Sequence, residues 1–139
     1  FPAKAQNIMG PIYGGPAISA QTGTIYAGSD DGKLYALELL DGSPKKGGSG
    51  FIFDAKSPIW GTPVVDNGVI YFGTMGGTLY GLKEEGGKVL DFKANGAFAA
   101  TPLVREGVVY IGGFDSNFYA ISAGRKQWTF SARAYTPNA

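Results

Sequence analysis

Apolar residues along this chain fall into short runs bounded by Gly, Asp, Asn and Pro. Leu34-Tyr-Ala-Leu37, Val69-Ile-Tyr-Phe72 and Val108-Val-Tyr-Ile111 are the clearest of them. Runs this short, rich in β-branched and aromatic residues and punctuated by turn formers, read as strands. They are continuous rather than alternating, the pattern expected when both faces of a sheet are covered.

The runs repeat. Tyr is followed two residues later by Gly and nine residues later by a second Tyr at Tyr26/Gly28/Tyr35, Tyr71/Gly73/Tyr80 and Tyr110/Gly112/Tyr119. Pro16, Pro63, Pro102 and Pro137 mark the same place in successive units, spaced at about 40 residues. Each unit reads as four strands. In the first these are Ile12–Ser19, Gly23–Gly28, Lys33–Glu38 and Gly50–Phe53; in the second, Thr62–Val65, Val69–Gly73, Thr78–Leu82 and Lys88–Phe92; in the third, Thr101–Val104, Val108–Gly112, Asn117–Ile121 and Lys126–Phe130. Asp31-Gly32 predicts a tight hairpin with positive φ at both residues.

A repeat of this length with four strands is the pattern of a propeller blade. The expected fold is all-β: a partial β-propeller of about three four-stranded antiparallel blades, at 12–53, 59–92 and 98–130. Residues 1–5 read as the tail of a preceding blade and 134–139 as the start of another, so the whole chain forms one propeller segment. Closed propellers need about four blades or more. The terminal blades should therefore present apolar faces that meet further blades, either in a second copy or in the remainder of a longer parent.

Composition narrows the function. The 139 residues carry 12 Lys+Arg against 11 Asp+Glu, a net charge of +1, and this balance argues against nucleic-acid binding through bulk charge. No apolar run is long enough for a membrane-spanning helix. An export signal, if the parent has one, is not in this stretch. With no Cys and no His, catalytic triads and the commonest metal ligands are missing from the inventory.

Asp31-Gly32-Lys33-Leu34-Tyr35-Ala36-Leu37, the Tyr-x-Gly strands and the segment Ala120 to Trp128 together resemble the pyrroloquinoline-quinone-like (PQQ-like) repeat of β-propellers. The resemblance covers nearly the whole chain. It implies an outer-strand Trp that packs on the next blade, kept here as Trp128, with Phe51 and Leu90 at the matching positions. It also implies a bacterial protein in the periplasm or outside the cell, and a non-catalytic binding or scaffold module for protein or ligand partners. The alternative it carries is a fragment of a PQQ-dependent alcohol or sugar dehydrogenase, which would use PQQ and calcium. The acidic calcium site, catalytic Asp and Cys pair of those enzymes map to no residue here, so no catalytic, cofactor or metal residue is assigned.

Other features have two readings each. Asp30-Asp31 and Asp115 would serve as a carboxylate cluster, but as hairpin-tip residues they more simply satisfy turn backbone. Gly47-Gly-Ser-Gly50 beside Lys45-Lys46 lacks the helix that a phosphate loop requires and reads as a surface insertion. The strand Tyr residues suit packing between blades better than a stacking platform. Tyr13 and Trp60 each stand three residues before the Pro of an inner strand, and the resemblance implies a place for them near the mouth of the central channel, with Thr62 and Thr101 as polar neighbours. These four form the candidate rim for a protein or peptide ligand.

Overall fold

Every strand lies between turn residues that the sequence supplies. In the computed structural model, which describes residues 10–45, 50–122 and 125–131, twelve strands follow one another: β1 (Ala17–Ser19), β2 (Thr24–Gly28), β3 (Lys33–Glu38), β4 (Phe51–Asp54), β5 (Val64–Asp66), β6 (Val69–Gly73), β7 (Thr78–Lys83), β8 (Lys88–Lys93), β9 (Leu103–Arg105), β10 (Val108–Gly112), β11 (Asn117–Ser122) and β12 (Arg125–Ser131). They form three four-stranded sheets, each ordered as its strands occur in the chain, and every pairing is antiparallel. No helix occurs among the described residues. The expected segments 1–5 and 134–139, and most of the Gly-rich insertion, lie outside the described residues.

The inner strands begin later than the sequence suggests. Ile12 to Pro16 is not strand, and β5 and β9 likewise start only after Pro63 and Pro102. Pro has no N–H to give a ladder, so pairing begins beyond it. The hairpin between β2 and β3 also differs: its loop spans Ser29 to Gly32, Gly32 N donates to Ser29 O at 3.1 Å, and only Gly32 has positive φ, 89°. Two-residue turns with both φ positive occur instead between the first two strands of the later sheets, at Asn67-Gly68 (51° and 80°) and Glu106-Gly107 (51° and 79°).

Successive sheets meet with the forward face of one against the rear face of the next. The forward face of the first sheet (Ala17, Tyr26, Leu34, Ala36) packs with Ile59, Ile70, Phe72 and Leu82. That of the second (Tyr71, Leu79, Leu90) packs with Phe98, Val109, Ile111, Tyr119 and Ile121. Full burial of side chains of this size stabilises by about 1.5–3 kcal/mol each, so these two interfaces are the core. Leu90, at the docking position of the outer strand, is buried in the second of them.

The third forward face is uncovered among the described residues. Cross-strand pairing places Leu103, Tyr110 and Trp128 in one row and Phe118 and Phe130 in another; Leu103, Phe118, Trp128 and Phe130 are exposed. Trp128 packs on Tyr110 and Phe118 of its own sheet, centroids 6.1 Å away in both cases. The burial patterns record this asymmetry. In β6, between two sheets, the last four residues are all buried, whereas β10 alternates, because one of its faces has no sheet against it.

Candidate functional site

The inner strands β1, β5 and β9 lie side by side, and the segments that lead into them form a rim at one end of the sheets. Three backbones meet there with no room for side chains. A Cβ on Gly14 would lie 2.7 Å from the Gly61 carbonyl, and one on Gly61 would lie 2.4 Å from the Ala100 oxygen. Threonine hydroxyls stitch the segments together: Gly15 N donates to Thr62 Oγ1 at 2.7 Å, and Thr62 N donates to Thr101 Oγ1 at 3.1 Å. Thr62 and Thr101 are thus linkers between blades, and neither hydroxyl donates to another described residue.

This close approach brings two aromatic residues together. Tyr13 and Trp60 stand edge to face, centroids 5.3 Å apart with planes at 71°, an arrangement favoured by ring quadrupoles. Both are accessible, Tyr13 at 63% and Trp60 at 39%. The indole is fixed in direction because Trp60 Nε1 donates to Asp30 Oδ1 at 2.7 Å. Asp30 comes from the β2–β3 hairpin, and no spacing in the sequence links it to a residue thirty positions away. Phe114, at the corresponding hairpin place in the third sheet, is also exposed.

The neighbouring carboxylates have structural partners. Asp31 accepts from Lys33 N at 2.9 Å, Gly10 N at 3.1 Å and the Tyr35 hydroxyl at 2.6 Å. Burial disfavours its charge, but the Tyr35 hydroxyl and the two backbone donors outweigh that and hold the carboxyl below its ordinary value. Asp115 repeats the arrangement with Asn117 N and the Tyr119 hydroxyl. These aspartates close hairpins, the simpler of the two readings. Among the described residues no group of three or more Asp or Glu converges as metal ligands would. As built, the rim offers ring faces, an anchored indole, a carboxylate and hydroxyl groups.

The sequence profile of the family described as outer membrane protein assembly factor BamB matches residues 45–139. Among solved structures, BamB from Moraxella catarrhalis superposes with a TM-score of 0.71 at 25% identity, over 88% of this chain and 37% of that one. The computationally designed Ika4 protein gives 0.71 at 14% identity, over 87% of this chain and 72% of Ika4. The WD40 β-propeller domain of Doa1 gives 0.72 at 17% identity, over 84% of this chain and 40% of that one. The last two are similar in fold alone. No curated protein sequence matches the chain.

Proposed function

The chain belongs to the family of outer membrane protein assembly factor BamB, and from that premise we propose that it is a non-catalytic scaffold module whose rim holds a segment of a partner protein. The observation that supports this reading is the exposed Tyr13–Trp60 pair, with the indole anchored by Asp30. Exposed aromatic groups that are already oriented lose little entropy on binding, and Trp and Tyr dominate interface energetics. Thr62 and Thr101 contribute hydroxyl protons to a peptide backbone at the same rim. The family description places its namesake in outer-membrane protein assembly, and by extension this module works outside the cytoplasm of a bacterium.

Peptide display on the immobilised chain tests the reading. Selected peptides should lose roughly 30-fold or more in affinity on Trp60→Ala, the loss expected of a central aromatic anchor. Peptides that bind the Trp60→Ala and Tyr13→Ala variants as tightly as the unaltered chain contradict it.

We also propose that the uncovered forward face of the third sheet receives a further blade. Sedimentation of the chain should report association that Trp128→Ser with Phe130→Ser reduces. A monomer at all concentrations counts against self-association and leaves a longer parent as the source of that blade.

A further inference from the structure

The opposite end of the sheets, formed by the turns after β1, β3 and β7, holds a second feature. A cavity of about 370 Å³ opens there between the first and second sheets, a volume suited to a small ligand or a single side chain. Its floor is apolar, made by Tyr26, Phe53 and Leu82, and Glu84 stands on its wall. Glu84 follows β7, and it reaches across to the first sheet. One of its carboxylate oxygens accepts from Ser19 Oγ at 2.9 Å; the other accepts from Thr22 Oγ1 at 2.8 Å and the Tyr26 hydroxyl at 2.7 Å.

All three of those donors are neutral. Three lysines line the cavity, and each has another carboxylate beside it: Lys45 pairs with Glu38 at 3.2 Å, Lys83 with Glu85 at 4.0 Å and Lys88 with Asp91 at 2.6 Å. A carboxylate offers about four acceptor positions, so three hydroxyls leave Glu84 one to spare. We propose that this cavity binds an alkylammonium group, with the positive head on Glu84 and the apolar stem over Tyr26, Phe53 and Leu82. The protonation states agree with this. Burial disfavours the Glu84 charge, yet the hydroxyls of Tyr26, Thr22 and Ser19 and the nearby Lys45 outweigh it, holding the carboxyl below its ordinary value. Burial, together with Glu84, pushes the Tyr26 phenol up to about 12, so at neutral pH Tyr26 remains a donor and Glu84 an anion.

The site is independent of the rim, which lies at the other end of the strands. Backbone amide spectra of the chain, titrated with n-pentylammonium and separately with n-pentanol, test it. The amine should give saturable shifts at Tyr26, Phe53, Leu82 and Glu84, with the alcohol binding at least fivefold more weakly. Glu84→Gln should remove that preference for the amine. Equal affinity of amine and alcohol for the unaltered chain, or no saturable shift at these residues, would overturn the proposal. This comparison decides the matter even where the Glu84→Gln variant fails to fold.

Discussion

A Cβ added to Gly28 would lie 2.3 Å from Cγ2 of Ile59, so the segment entering the second sheet seats its isoleucine on the bare backbone of β2. Gly73 and Phe98 repeat the fit, with Phe98 Cβ 2.4 Å from the added atom. Ile59 and Phe98 are both fully buried. At Gly112, the third such position, the only neighbour within 4 Å among the described residues is Phe118 Cδ1, at 3.5 Å. The same glycine thus has a packing role in two blades and, among the described residues, none in the third.

Alanine substitution should separate these positions. Gly28→Ala and Gly73→Ala each force a methyl into a filled contact and should lower stability by about 1–3 kcal/mol. Gly112→Ala adds a methyl beside open space and should change stability by no more than about 0.5 kcal/mol. Urea denaturation of the three variants under one set of conditions makes the comparison.

Acid should loosen the junction of the first and second sheets through Glu84. Its native carboxyl sits below its ordinary value of 4.5, so the native state favours the charged form. The resulting stabilisation is fully present above that ordinary value and is lost as pH falls through the lower native one. Asp31 and Asp115, also lowered from 3.8, act in the same direction at still lower pH. Thermal unfolding followed between neutral pH and pH about 3 should therefore decline more gently in Glu84→Gln than in the unaltered chain.

The paired tyrosines of the outer hairpins should differ from their counterpart in the middle blade. Tyr35 donates to Asp31 at 2.6 Å, whereas the turn before Tyr80 carries Met75 and Gly76, and Tyr80 packs on Phe53 and Phe72 instead. Tyr35→Phe should cost about 1 kcal/mol, the net worth of a hydrogen bond to a charged turn residue at a partly exposed site. Tyr80→Phe should be close to neutral. Denaturant melts of both variants provide the check.

Repetition made the architecture legible. The Tyr-x-Gly spacing located β6 and β10 with their observed bounds, Val69–Gly73 and Val108–Gly112, because strands with the same neighbours need the same residues in the same order. Proline hid where the inner strands start: Thr62 and Thr101 stand in line with them but serve as acceptors between blades. The rim was only half visible. Tyr13 and Trp60 could be found by their common distance from Pro, but Asp30 could not, since in the other repeats its place is taken by Met75 and Phe114. Glu84 gave no signal at all, for its contact with Ser19, Thr22 and Tyr26 depends on how two sheets meet and, among the described residues, occurs at one junction only.

Successive sheets lying forward face to rear face is the relationship on which rim, cavity and uncovered face all depend. Nuclear Overhauser contacts from the methyl groups of Ile59 and Ile70 and of Val109 and Ile111 test it most directly. Contacts are expected from the first pair to Tyr26 and Leu34 and from the second to Tyr71 and Leu79. Methyl groups that contact only residues of their own sheet would contradict it.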